Sequence, residues 1–267
     1  MKKLNFTKMV TAGNDFIVIR LSGYPVIRLK RIASKMCDRK YGIGADGLLV
    51  LGQSKKADIA MSIFNSDGSE AEMCGNGARC IGLYSSKLLK ANSLNIETKA
   101  GIIAAKIEGN TVKVKLSEPK NIKLDLPIKL SGRNLPVNFI NTGVPHAVIF
   151  SAGLDKINVS AIGRIIRHHK AFSPKGTNVD FVEVTGKDSI KVRTYERGVE
   201  DETLACGTGS TASALIFALK TGIKNKVNVH TRGGEILKVY FKSNFNKLSD
   251  VWLEGKVNIV YKGEYDV

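Results

Sequence analysis

The sequence predicts an α+β fold built from two similar halves, and three observations carry that prediction. A Cys-Gly-x-Gly turn occurs twice, at Cys74-Gly75-Asn76-Gly77 and at Cys206-Gly207-Thr208-Gly209. Each turn opens an apolar segment of helical length. Ile81, Leu83, Tyr84, Leu88 and Leu89 follow the first, and Ala212, Ala214, Leu215, Phe217, Ala218 and Leu219 follow the second. The cysteines stand close to half of the 267-residue chain apart, so the pattern reads as an internal duplication. Around each helix the remaining sequence alternates as mostly antiparallel strands do.

In chain order, residues 3–9 and 15–20 read as strands, with Thr11-Ala12-Gly13-Asn14-Asp15 as the turn between them. Arg28 to Arg39 reads as a helix whose buried stripe is Leu29, Ile32, Ala33 and Met36. The loop Tyr41-Gly42-Ile43-Gly44-Ala45-Asp46-Gly47 then opens a strand at 48–51. Its letters match G-x-G-x-x-G, but a dinucleotide fingerprint follows a strand and opens a helix, the reverse of this order. A strand at 59–64 runs through a polar loop into the first cysteine turn. Strands at 94–98, 102–107 and 111–116 complete the first half, and the basic stretch 119–129 reads as a crossover.

The second half repeats the plan. Strands near 135–140 and 147–150 flank Asn141-Thr142-Gly143-Val144-Pro145-His146, and Ser160 is placed to cap a helix running to about Lys170. Strands at 179–184 and 189–195 follow, and the loop 196–203 leads to Cys206. Gly222 suits the end of the second central helix. Strands at 226–231, 235–242, 250–254 and 256–261 close the chain. The expected division is 1–118, joined by the C-terminal strand 256–267, and 119–255.

Composition narrows the class. With 43% apolar and 24% charged residues the chain resembles a soluble globular protein. No apolar run reaches the roughly 18 residues of a membrane span, and Met1-Lys2-Lys3-Leu4-Asn5-Phe6 lacks the apolar core of an export signal. A reducing cytoplasm is the expected setting. The net charge of +17, from 41 basic and 24 acidic residues, raises nucleic acid as a partner. Those basic residues are spread out, and no exposed aromatics interleave them, so a lysine-rich surface is the expectation instead.

The chemistry of the paired turns follows from the backbone. The first turn of a helix leaves N–H groups without intrahelical partners, and the macrodipole adds partial positive charge there. Glycines let that backbone approach a bound anion closely. A cysteine in such a turn is expected to have its thiolate favoured, with a pKa below the free value of about 8.5. Two such turns facing each other would hold one carboxylate between them, with a sulfur on either side. That is a geometry for taking a proton from one face of a carbon and returning one to the other. Cys74 and Cys206 are therefore the candidate catalytic pair.

The other cysteines and polar residues are weighed against plainer roles. Cys37 and Cys80 lack a glycine turn and read as core. No cysteine or histidine pair has the spacing of a structural zinc site, so no metal is expected. A phosphate-binding loop is disfavoured because Cys74 follows the polar Ser69-Glu70-Ala71-Glu72 and not a buried strand. Glu196 and Arg197 fit a surface ion pair as well as a site. His146 reads first as a packed, hydrogen-bonded histidine. Asn14, Asn65, Asn76 and Asn178 all stand in glycine-bearing turns, where turn formation is the ordinary explanation. Their recurrence beside both thiols suggests an amide-rich site for a zwitterionic ligand.

Several blocks resemble the diaminopimelate epimerase family. They are Phe6-Thr7-Lys8-Met9 with Gly13-Asn14-Asp15-Phe16, then Gly42 to Gly47, then Phe64-Asn65-Ser66-Asp67-Gly68-Ser69-Glu70 running through Cys74 to Arg79. Gly176-Thr177-Asn178-Val179, Arg193-Thr194-Tyr195-Glu196-Arg197-Gly198 and Thr203 to Gly209 continue the match in order. The resemblance implies two pseudo-symmetric domains, each a sheet or barrel wrapped around a central helix, with the active site in the cleft. It also implies cofactor-independent epimerisation of LL- to meso-diaminopimelate, in lysine and peptidoglycan precursor synthesis, by a homodimer.

In family terms Cys74 and Cys206 are acid and base, and a two-base scheme is what inversion requires, since one base returns a proton only to the face it came from. Asn14, Asn65, Asn178 and Arg197 would bind the distal end of the amino-acid substrate. Gly75-Asn76 and Gly207-Thr208 would hold the reacting carboxylate, and His146 and Glu196 would tune the thiols, Glu196 also touching substrate. Two positions depart from the family pattern. Gly47 stands where well-known members carry glutamine, and Val144 where many carry asparagine. The segment 199–202 is also about one residue longer than usual. Two other readings stay open, a two-thiol racemase of proline or histidine type and a binding protein without catalysis.

Overall fold

The computed structural model describes residues 3–21, 25–130, 132–244 and 247–267. Met1 and Lys2, where the reading of the N-terminal segment begins, lie outside them. The chain separates into two compact units, Met1–Lys115 with Gly255–Val267, and Leu116–Glu254.

In the first unit a hairpin joins strands Lys3–Thr11 and Asn14–Arg20, and Asn258–Asp266 pairs antiparallel along the other side of Lys3–Thr11. Helix α1, Val26–Cys37, is the crossover to Gly47–Gly52, which lies parallel to Asn14–Arg20. That parallel strand is the continuous run Leu48-Leu49-Val50-Leu51, all buried, as a strand covered on both faces requires. Ile59–Asn65 pairs antiparallel to it and parallel to Ser93–Thr98, with helix α2, Gly75–Leu89, as the intervening crossover. Gly101–Glu108 and Thr111–Lys115 complete a meander.

The second unit repeats this order with the same pairings. A hairpin joins Arg133–Asn141 and Pro145–Phe150, and α3, Val159–Arg167, leads to Asn178–Gly186, parallel to Pro145–Phe150. Ser189–Glu196 pairs antiparallel to Asn178–Gly186 and parallel to Lys226–His230, across helix α4, Gly207–Thr221. Ile236–Asn244 and Lys247–Lys256 follow as antiparallel strands.

Each central helix packs against strands from around its own unit. Helix α4 is buried on all sides, from Gly209 through Ala218, because its apolar residues leave no polar face. The α+β class, with a sheet around a central helix in each of two similar halves, is thus observed. Gly222, with φ 77°, ends α4 in the left-handed conformation that a helix stop of this kind needs.

Three local expectations need correction. The segment expected as a crossover at 119–129 is a strand, Lys120–Leu130, paired antiparallel to Arg133–Asn141. Helix α3 is capped by Asn158, whose side chain accepts the N–H of Ala161 at 3.0 Å, while Ser160 donates to Asp201. That helix ends at Arg167, and Lys170–Phe172 is a separate 3₁₀ turn.

Candidate active site

Each of the two predicted cysteines is the N-cap of its central helix. Cys74 (φ −143°, ψ 123°) and Cys206 (φ −113°, ψ 116°) both hold the extended conformation of an N-cap. Each Sγ accepts the N–H of the third helical residue, Gly77 at 3.4 Å and Gly209 at 3.3 Å. Cys206 Sγ also lies 3.3 Å from Thr208 Oγ1. Both turns are tied to the hairpin turn of their own unit. Asn76 Nδ2 donates to Asn14 Oδ1 at 3.3 Å in the first, and Thr142 Oγ1 to the Thr208 carbonyl at 3.1 Å in the second.

Beneath the turns the two units differ. A β-carbon added at Gly77 would meet Leu49 Cδ2 at 3.0 Å and Ile63 Cδ1 at 3.3 Å. One added at Gly209 would meet Asp180 Oδ1 at 2.3 Å and Thr194 Oγ1 at 3.1 Å. Aliphatic side chains lie against Gly77, and a carboxylate network lies against Gly209. In that network Thr194 Oγ1 donates to Asp180 Oδ1 at 2.8 Å, and His146 Nδ1 lies 2.8 Å from Asp180 Oδ2. His146 and Asp180 have no exposed surface, and His146 Nε2 has no hydrogen-bond partner.

The geometry explains how the strands deliver these groups. Asp180 pairs with Thr194 across neighbouring strands, and His146 pairs with Asn178. The two-residue period puts Asn178 with Asp180, and Thr194 with Glu196, on common faces. Glu196, half-buried, accepts the hydroxyl of Thr203, and its carboxylate acts on the Cys206 thiol. Burial first, and then the Asp180 charge, raise the Glu196 pKa, with Thr203, His146 and Cys206 opposing.

One expectation about the thiols is overturned. The thiol of Cys206 has its pKa pushed well above the ordinary value, not below it. Burial dominates, the Glu196 and Asp180 carboxylates add to it, and the contacts with Thr208 and the Gly209 N–H do not offset them. A helix N-terminus favours a thiolate only where solvent or cations do not leave the charge to face desolvation alone.

The remaining predicted residues are placed as follows. Asn14 is half-buried and donates to Asp46 Oδ2 at 2.6 Å. Asn65, exposed at the end of its strand, donates to Ser69 Oγ at 2.9 Å. Asn76 is buried, and its carbonyl accepts from the buried Arg79 at 2.7 Å. Asn178 donates to the Pro145 carbonyl at 3.1 Å and accepts the Arg197 N–H at 2.8 Å, so it shapes the turn after Glu196. Arg197, half-buried, reaches the Lys175 carbonyl at 3.3 Å. Gly75, Gly207 and Thr208 are half-buried in the two first turns. Val144 lies in the hairpin turn that Thr142 pins to Thr208. Gly47 pairs with Asn65 and Phe16, and a β-carbon there would lie 2.9 Å from the Phe64 carbonyl.

Sequence reasoning missed Asp180, Thr194 and Arg79 as parts of these networks. A signal existed for Asp180, a charged residue two positions from Asn178 inside an otherwise apolar strand. Cys37 and Cys80 are core residues, and burial pushes the Cys37 thiol up to about 12. Among the described residues no group of three or more His, Cys, Asp or Glu is placed to hold a metal ion, and no helix is long and apolar enough to cross a membrane.

Comparison with known proteins adds to this geometry. The family model for diaminopimelate epimerase matches residues 6–122 and 138–260. A diaminopimelate epimerase of Aquifex aeolicus is 43% identical over 274 residues, covering 97% of each chain. One of Methanocella arvoryzae is 42% identical over 283 residues, covering 100% of this chain and 98% of its own. Among solved structures, a phenazine biosynthesis protein of the PhzF family from Bacillus anthracis superposes with a TM-score of 0.78 at 20% identity, covering both chains fully. A hydroxyproline epimerase from Agrobacterium vitis gives a TM-score of 0.74 at 14% identity, covering 98% of this chain and 92% of its own. At those identities the two structures speak for the fold alone.

Proposed function

The chain belongs to the diaminopimelate epimerase family, and from that premise we propose that it converts LL-2,6-diaminopimelate to the meso form without a cofactor, through the thiols of Cys74 and Cys206. The observation that carries the reading is the repeated cap, a cysteine at the N-terminus of a buried helix in each unit, with its sulfur on the third N–H. The relatives of about 40% identity over nearly the whole chain bear the same family name.

In this proposal one thiolate takes the α-proton and the other thiol gives a proton to the opposite face of the same carbon. Cys206 is the base in the LL-to-meso direction and Cys74 the acid, with the roles exchanged in reverse. Cys206 rests as a thiol, so its proton must first leave. Glu196, whose carboxylate acts on that thiol and has a raised pKa, is the acceptor at hand. The free N–H groups of Gly75-Asn76 and Gly207-Thr208 stabilise charge that develops on the reacting carboxylate, in a site from which water is excluded. Asn14, Asn65, Asn178 and Arg197 orient the distal end of the substrate. The reaction belongs to lysine and peptidoglycan precursor synthesis in the cytoplasm, with a homodimer as the working form.

The test is solvent deuterium exchange with a panel of substrates. Incorporation at the α-carbon of LL-diaminopimelate, with appearance of the meso form, is the expected result. Exchange confined to amino acids with one carboxylate, such as proline or histidine, would make this a racemase of another kind. Absence of exchange with every substrate would leave a binding protein.

A further inference from the structure

The two cysteine turns are alike in sequence and in backbone, yet different side chains lie against the third residue of each helix, an acid at Gly209 and aliphatic groups at Gly77. Asp180 is fully buried, and each of its oxygens is tied, Oδ1 to Thr194 and Oδ2 to His146. Its Oδ1 also lies against the first turn of α4, where a β-carbon at Gly209 would come within 2.3 Å. The matching place under α2 holds Leu49 and Ile63. A carboxylate only accepts, so the proton shared with the imidazole sits on Nδ1, while Nε2 has no hydrogen-bond partner.

We propose that Asp180 is a positioning residue for the Cys206 half of the reaction: it fixes His146 with Nδ1 protonated, braces the turn that carries Cys206, and sets a buried negative charge beside that turn. This rests on the reading of Cys74 and Cys206 as the catalytic pair. The charged groups that face Cys206 are the Glu196 carboxylate from strand Ser189–Glu196 and the Asp180 carboxylate from strand Asn178–Gly186. Thr208 and the Gly209 N–H face it from its own helix. His146, from strand Pro145–Phe150, acts on Glu196 in turn.

The experiment is the pH dependence of alkylation at each cysteine, followed by peptide mass mapping in the parent and in Asp180→Asn. Removing one of two facing negative charges lowers the midpoint for Cys206 labelling by about one pH unit, while the Cys74 midpoint stays where it was. An unchanged Cys206 midpoint, or an equal shift at both cysteines, overturns the proposal. A role in structure alone would speed labelling at every buried cysteine without moving one midpoint. A second readout needs no variant at Asp180. The ¹⁵N spectrum of the imidazoles, with His146 assigned by its loss in His146→Gln, shows Nδ1 carrying a proton. The opposite tautomer overturns the proposal. Neither measurement uses a substrate, so failure of deuterium exchange would refute the proposed function and leave these outcomes readable.

Discussion

Asp180 Oδ1 fills the space that a β-carbon on Gly209 would need, 2.3 Å from where that atom would stand. The carboxylate cannot move aside without giving up Thr194 or His146, since both oxygens are bonded. Gly77, at the same step of the other helix, meets the methyl ends of Leu49 and Ile63 and then the β-carbon of Cys74.

Gly209→Ala is therefore expected to be the worse of two matched substitutions. Alanine gains about 0.5–1 kcal/mol over glycine inside a helix, but overpacking a closed site costs about 1–3 kcal/mol. At position 77 the flexible leucine and isoleucine tips can give way, so gain and cost nearly cancel. At position 209 the cost wins. Thermal unfolding should show a lower Tm for Gly209→Ala and little change for Gly77→Ala; equal shifts would contradict the rigid floor beneath Cys206.

Replacing either cap cysteine by alanine should abolish inversion. A positioned acid or base contributes about 10²–10⁴-fold, so each variant is expected to lose at least about 10²-fold in LL-to-meso conversion. Serine at one position keeps a proton carrier of poor acidity there. Exchange on the face served by the surviving thiol should then outlast inversion, as read by deuterium incorporation against stereochemistry. Full activity in either alanine variant would end the two-thiol scheme.

Asp15 offers a stability test away from the thiols. It pairs with the buried Lys8 at 2.7 Å and with Arg39 at 2.8 Å. Burial pushes its carboxyl up, but the Arg39 and Lys8 bonds outweigh that and hold it well below the ordinary 3.8. The folded pKa is thus the lower one, so the stabilisation is present above the unfolded value and lost as pH falls through the folded value. Asp15→Asn leaves the buried Lys8 with the Gly44 carbonyl but without its counter-charge, and should cost about 3 kcal/mol at neutral pH. Urea titrations of the two proteins should converge as the pH is lowered below about 4. A gap that persists into acid would mean that the pair is not the cause.

How much of this was legible in the sequence depended on what each residue has to do locally. Cys74 and Cys206 could be placed as helix caps because cap, glycine and apolar run are all encoded within a few positions. Strand Lys120–Leu130 could not. Its side chains are largely exposed, with Lys120, Lys123 and Asp125 in solvent, and its Pro127 stands opposite Pro136. Only backbone pairing with a neighbour makes it a strand. Asp180 was hidden for a different reason, since its meaning comes from His146 and Thr194 on two other strands. The raised Cys206 thiol could not be foreseen from a helix N-terminus, because burial and two acids from elsewhere decide it.

The four cysteines give the last prediction, an order of reactivity in the native protein. Cys37 is 2% exposed and its thiol is pushed up to about 12 by burial. At pH 8 only about one molecule in ten thousand would carry its thiolate, the form that attacks an alkylating agent. Cys80 has no exposed surface at all inside α2. Cys206 is 8% exposed and also held as a thiol, whereas Cys74 is half-buried and so the more accessible of the two. Iodoacetamide at pH 8 should therefore label Cys74 first and Cys206 more slowly. Cys37 and Cys80 should react only after denaturant is added, when all four become equivalent. Labelling of Cys37 at the rate of Cys74 in the folded protein would show that α1 opens readily, and the packing of Cys37 against the first unit's core would have to be redrawn.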